Sequence, residues 1–171
     1  MCEMPSPPKA EISATEPDWS RETIQGFWDP GRKLLRAIRR YQALKAKRSA
    51  WATLASKYWV LNHWFWSLIT QSEIHLSTQI GGGLCLTHPT GIIIHPQARI
   101  GPNCLIFHQV TLAGPVVVGG HVDIGAGAKL IAPLTVADHV VIGANAVVTK
   151  NVPREVTVAG VPAQILPTPP A

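Results

Sequence analysis

Ten positions spaced six residues apart are all aliphatic: Ile94, Ile100, Ile106, Leu112, Val118, Ile124, Leu130, Val136, Ile142 and Val148. The residue four places after each is also apolar, from Ala98 and Cys104 through to Ala146 and Val152, and glycine often follows the aliphatic residue, as at Gly101, Gly119, Gly125 and Gly143. A period of six matches neither the 3.6 of a helix nor the two of an alternating strand. It describes a short strand-and-turn unit stacked many times, each unit burying its apolar side on the next. The repeat begins earlier, at Ile74, Ile80 and Leu86, but Leu86 to Ile94 is a step of eight, so two extra residues enter around Gly91. Thirteen hexads result, ending near Val152-Pro153.

The rest of the chain divides around this repeat into four segments: 1–28, 29–71, 72–155 and 156–171. Residues 1–28 carry Pro5, Pro7, Pro8 and Pro17 among scattered charges and are expected to form a mobile tail. The first eighteen residues show no basic start followed by an apolar run, so no secretory signal is expected and a cytoplasmic setting is. Three cysteines, Cys2, Cys85 and Cys104, with no motif pairing them, read as reduced thiols.

Asp29-Pro30 has the chemistry of a helix start, an acceptor to cap and a proline whose missing N–H costs nothing there. Leu34, Leu35, Ile38, Tyr41 and Leu44 then recur at helical spacing, and a second helix is expected from about Ala50 to Thr70. Between Asp29 and Glu73 there are nine cations and no carboxylate, among them Arg36, Arg40 and Lys57, beside Trp51, Trp59, Trp64 and Trp66. This composition reads as a solvated helical hairpin, with contact to an anionic membrane surface through 32–66 as the sharper reading. No nucleic-acid reading motif accompanies the charge. The aromatic stretch contains Lys57, Asn62 and His63 and is too polar and short to be read as a membrane span.

The repeat resembles that of the hexapeptide-repeat acyltransferases over roughly residues 72 to 166. Within them it is most similar to the serine acetyltransferases and their short relatives that O-acetylate sugars. The residues carrying the likeness are Glu73-Ile74-His75, Leu86-Thr87-His88-Pro89-Thr90-Gly91-Ile92, Val110-Thr111-Leu112-Ala113-Gly114, Ile124-Gly125-Ala126-Gly127-Ala128-Lys129 and Ala159-Gly160-Val161-Pro162-Ala163. The resemblance implies a mainly β fold, a left-handed parallel β-helix with three hexads per coil, preceded by a short α-helical region. It also implies acetyl-CoA as a co-substrate with no permanently bound cofactor, no metal, and a homotrimer or dimer of trimers with the active site between neighbouring helices.

With three hexads per coil, the hexads beginning at Leu86, Ile106, Ile124 and Ile142 lie above one another. Their third positions are His88, His108, Ala126 and Ala144: two imidazoles at the head of a low wall. The family's general base falls on His88, which would take the proton from an acceptor hydroxyl. Its carboxylate partner falls on Glu73, which would fix the tautomer and stabilise the imidazolium. Glutamate there keeps the charge of the family's aspartate but lengthens the reach. Thr87, Thr90 and His108 are the expected acceptor-binding residues. Gly125, Ala126, Gly143, Ala144, Lys129 and Gly160 are the expected acetyl-CoA contacts. His75, His95, His121 and His139 fall at outward positions.

Three departures separate the chain from serine acetyltransferases. Thr87 stands where an aspartate holds the amino group of serine, an Arg-His loop after the V-T-L-G-G segment is absent, and the chain ends Pro167-Thr168-Pro169-Pro170-Ala171 rather than in a terminal isoleucine. Each lost charge-assisted bond is worth roughly 1.5–3 kcal/mol, so the acceptor is expected to be either serine or a neutral saccharide hydroxyl, with the residues leaning toward the latter. A zinc enzyme of the β-helical carbonic anhydrase type, using His88 and His108 with His95 or His121, is a remote alternative. A purely structural polymerising β-helix is another.

Overall fold

The computed structural model describes residues 12–47 and 49–167. The start of the tail at 1–11, Cys2, Arg48 and the terminal 168–171 lie outside the described residues. Each of the thirteen hexads forms one short strand, and the strands stack into three parallel sheets. The first sheet stacks β1 (Glu73–Ile74), β4 (Ile93–Ile94), β7 (Thr111–Ala113), β10 (Lys129–Ile131) and β13 (Val147–Val148). The second stacks β2 (Gln79–Ile80), β5 (Arg99–Ile100), β8 (Val117–Val118) and β11 (Thr135–Val136), extended by a bridge from Val136 to Val152. The third stacks β3 (Cys85–Leu86), β6 (Leu105–Ile106), β9 (Asp123–Ile124), β12 (Val141–Ile142) and β14 (Thr157–Ala159), and β15 (Gln164–Ile165) closes it antiparallel to β14. The result is a parallel β-solenoid of about five turns. It runs one hexad further than the repeat predicts, because Val158, six residues after Val152, pairs with Ile142.

The period of six sets this architecture physically. In each short strand the aliphatic residue of the hexad faces in and its strand neighbours face out, so Ile106, Leu112, Ile124 and Leu130 are fully buried. Burying such a side chain is worth roughly 1.5–3 kcal/mol. The second apolar column, including Cys104, Val110, Val122 and Ala128, fills the corners of the same interior. Burial pushes the Cys104 thiol pKa up to about 12, and Cys85 and Cys104 are both free thiols.

Two helices pack on the solenoid's first coils. α1 (Pro30–Ala46) starts where the sequence places it, with Asp29 accepting from the Arg32 N–H, and buries Leu34, Leu35 and Ile38 in the core. α2 (Ala50–Thr70) is capped by Ser49 and ends at Gln71 in the left-handed region (φ 51°). Residues 12–28, expected to be a tail, are docked instead. A 3-10 turn at Trp19–Glu22 lies over the corner between the second and third sheets. The buried Asn103 donates its Nδ2 to the Ser13 and Glu16 carbonyls (2.7 and 2.8 Å), and its Oδ1 accepts from the Asp18 N–H (2.7 Å). Glu22 accepts from the Gly83 N–H and pairs with Arg39 at 2.8 Å, tying the strap to α1. The proline content suggested a floppy segment, but one internal asparagine satisfies three strap backbone groups.

Candidate active site

The corner that carries His88 is built differently from its neighbours. In the coils below, a single left-handed residue turns the chain from the third sheet to the first: Gln109 (φ 58°), Gly127 (72°) and Asn145 (56°). In the first coil the two extra residues give two such positions, His88 (φ 51°) and Gly91 (67°). Backbone bonds then fix which residues stack. Gln109 N–H donates to Thr90 O, Gly127 N–H to His108 O and Asn145 N–H to Ala126 O. The strand register Leu86–Ile106–Ile124–Ile142 is as the repeat predicts. The stacking of corner residues is not: Thr90, not His88, continues the column of His108, Ala126 and Ala144. His88 sits on the extra loop, one residue past Thr87, whose N–H still donates to Ile106 O, and is exposed.

This loop is held from two sides. The buried Ser72 hydroxyl donates to the Pro89 carbonyl at 2.6 Å and accepts from the Ile92 N–H, and the Gly91 N–H donates to Thr70 O. From the other side α1 presses its first turn on the corner: a Cβ on the buried Gly31 would lie 3.0 Å from Leu86 O and 3.2 Å from the Pro89 ring. Glycine at this place lets the helix N-terminus approach the corner.

Between the corner and the helix start lies a cleft of about 540 Å³ whose walls include His88, Thr90, Trp28, Asp29 and Arg32. Asp29 and Arg32 form an ion pair across one helical turn at 3.1 Å. These two charges were not among the expected site residues. Their sequence signal was visible but read only as a helix cap, since nothing local says that α1 begins against the histidine corner.

The remaining expected site residues fall as follows. Thr87 is half-buried, with its hydroxyl 3.8 Å from Cys85 Sγ. His108 is half-buried, and its Nδ1 is enclosed without a hydrogen-bond partner. Glu73 is exposed at the start of β1, paired in register with Ile93. Among the described residues no hydrogen bond or ion pair joins it to His88, so the expected dyad is not assembled. Down the same edge, Gly125 is backed closely by Ala144 and Gly143 by Ala159, leaving a low wall at Ala126 and Ala144. Lys129 donates its Nζ to Gln109 O, and Val147 N–H donates to Gly160 O, so the C-terminal turn closes the lower end of this edge. The outward histidines make local contacts: His75 with Ser77, His95 with the Gln97 N–H, and His121 with His139 (Nδ1 to Nδ1, 2.8 Å). No group of three or more His, Cys, Asp or Glu able to hold a metal occurs among the described residues.

No family model matches the chain. Among curated proteins it is 36% identical over 129 residues to the serine acetyltransferase of Mycobacterium tuberculosis, covering 62% of this chain and 56% of that one. It is 36% identical over 132 residues to that of Escherichia coli K12, covering 64% and 48%. A solved structure of a serine acetyltransferase in complex with CoA superposes with a TM-score of 0.69 at 30% identity, over 81% of this chain and 57% of that one. The serine acetyltransferase of Brucella abortus strain S19 gives 0.66 at 34% identity, over 80% and 57%. The chain is similar to serine acetyltransferases. It spans about half the length of the curated serine acetyltransferases it matches.

Proposed function

We propose that the chain is an acetyl-CoA-dependent O-acetyltransferase of the serine acetyltransferase type, with His88 as general base. The observation that carries the reading is the cleft in which an exposed imidazole, on a corner clamped by Ser72 and α1, shares its walls with one carboxylate and one guanidinium. His88 removes the acceptor's hydroxyl proton as the oxygen attacks the thioester carbonyl. The tetrahedral intermediate collapses with loss of the CoA thiolate, which takes the proton back from the imidazolium. The acetyl group ends on the acceptor oxygen and the proton on CoA.

The thioester arm is assigned to the low edge past Ala126, Ala144 and Gly160, with Gly125, Gly143 and Lys129 beside it. This follows the resemblance and the known CoA complex of a similar protein. Thr87, Thr90 and His108 are assigned to the acceptor, His108 because its enclosed Nδ1 is free to accept or donate. Glu73 is assigned an orienting role that requires its side chain to turn toward His88. A homotrimer, or a dimer of trimers, would enclose the exposed edge between copies.

Serine is the acceptor favoured by Asp29 and Arg32: a zwitterion offers an ammonium to the first and a carboxylate to the second, restoring the charges the corner lacks. A saccharide hydroxyl is the second reading, favoured by Thr87 beside the base and by the Asp29–Arg32 pair already satisfying itself. The test is thiol release from acetyl-CoA with L-serine and a sugar panel, alone and in competition. His88→Ala should lower kcat by about 10²–10⁴-fold with the fold intact by circular dichroism; wild-type activity in that variant would remove the general-base reading. Serine preferred tenfold, about 1.4 kcal/mol, selects the first acceptor, and the reverse selects the second.

A further inference from the structure

The cleft leaves a large exposed apolar surface among the described residues unused. Along α2 the residues Trp51, Leu54, Tyr58, Leu61, Phe65 and Leu68 recur at steps of three and four and so share one face. All six are between 45 and 81% exposed. Trp64, equally open, widens the face toward Lys57. Of its bulky side chains the helix buries only Trp66, beside the small Ala52, Ser56 and Thr70, so most of its large apolar side chains point away from the fold. Soluble domains rarely leave so large a contiguous apolar face without a use.

The charge around this face decides what covers it. Between Asp29 and Glu73 the chain has nine cations and no carboxylate. Arg36 and Arg40 form an exposed row on α1, and the Arg36 guanidinium lies 5.9 Å from the Trp59 ring, which stacks edge-on with Tyr58 at 5.2 Å. Lys57 stands exposed on the other flank. Pairing two copies of the chain through α2 would bring their Arg36, Arg40 and Lys57 rims together. Neither helix carries a carboxylate to oppose them, and the nearby Glu22 is already paired with Arg39. An anionic lipid surface answers both features, taking the apolar face into its headgroup boundary and the arginines and lysine onto its phosphates. No helix among the described residues is long and apolar enough to cross a membrane, so α2 would lie in the plane of the interface, with Trp51 and Trp64 at headgroup depth.

We propose that the α1–α2 hairpin is a docking surface for an anionic lipid bilayer. This proposal stands apart from the catalytic reading, because its readout is binding and not acetyl transfer. The full-length protein is sedimented with phosphatidylcholine vesicles, with and without a third of phosphatidylglycerol, at low and high salt. The expected result is co-sedimentation with the anionic vesicles only, a blue shift of tryptophan emission, and release by salt. Two variants, Leu54→Glu/Leu61→Glu and Arg36→Glu/Arg40→Glu, should each lower vesicle partitioning at least tenfold while keeping the wild-type circular dichroism. Failure of the wild type to bind anionic vesicles, or equal binding to neutral ones, overturns the proposal. So does a wild type that ignores vesicles but falls to a smaller species on a sizing column when Leu54 and Leu61 are changed, which would make a second copy the occupant.

Discussion

Asn103 is the position where the docked N-terminal strap can be tested most directly. Its side chain makes three bonds of 2.7–2.8 Å to the backbone of residues 13–18, and its own carbonyl accepts from the Arg21 guanidinium. Its φ of 59° is a conformation asparagine tolerates and alanine does not. Three bonds at about 0.5–1.5 kcal/mol each set an upper range of about 1.5–4.5 kcal/mol. The carbonyls of a released strap return to water, so the lower half of that range is expected for Asn103→Gly, which removes the bonds without adding strain. Asn103→Ala should lose about 1–2 kcal/mol more, the backbone cost of a left-handed alanine. A second lesion reaches the same strap from elsewhere: a Cβ at Gly120 would overlap the Ala14 carbonyl, so Gly120→Ala also displaces it. Because both changes act on one docking event, the double variant should be less destabilised than the sum of the singles. Urea unfolding followed by circular dichroism gives the energies, and the rate of tryptic cleavage after Arg21 reports the strap alone. If Asn103→Gly costs under about 0.5 kcal/mol, within the range of an ordinary surface change, and cleavage is no faster, the latch has no energetic role. Strict additivity would show that Asn103 and Gly120 hold different structures.

Three further outcomes follow from the site and the core. Gly31→Ala should push the start of α1 off the His88 corner, lowering kcat/KM for thiol release several-fold while costing only about 1 kcal/mol of stability; unchanged kinetics would separate α1 from the reaction. Cys104, held neutral by burial, should resist alkylation in the native protein at pH 8, and unfolding should expose it. Since its pKa rises from 9.0 to about 12 on folding, stability should decline as pH climbs from 9 toward 12, and Cys104→Ala should lose that decline. His63 is held below its ordinary 6.5 mainly by burial, with its Nε2–H donated to Ile74 O at 2.8 Å, so stability should fall as pH drops below about 6.5. A His63→Gln variant whose unfolding midpoint follows the same acid curve as wild type would refute that assignment.

The solenoid was legible because its physics is local and repeated. Every sixth residue must be aliphatic for a triangular coil to fill its own interior, so the strand positions follow from counting. Asp29-Pro30 marked the start of α1 for an equally local reason: Asp29 supplies the acceptor its own first turn needs, as Ser49 does in the structure for α2. The docked strap was not legible, since proline-rich composition describes what a segment does alone. The groups that hold it, Asn103 and the Gly82, Gly83 and Gly120 column, lie many residues away in sequence and look like ordinary turn residues.

The candidate site divides along the same line. His88 was picked out by its motif, but the residue that continues the His108 column was misread, because a step of eight locates an insertion without saying which residue leaves the column. The bonds from Gln109 to Thr90 and from Ser72 to Pro89 settle that: the ladder continues through Thr90, and the two added residues form the loop that carries His88. The same loop brings His88 against the start of α1, so that Asp29 and Arg32 share its cleft, while Glu73 at the start of β1 makes no bond to it. A histidine kept in the column would pack against His108 beneath it, whereas one exposed on a clamped loop can meet a substrate from solvent. On the proposed reading, the insertion that interrupts the repeat is what would let a regular solenoid do chemistry at this corner.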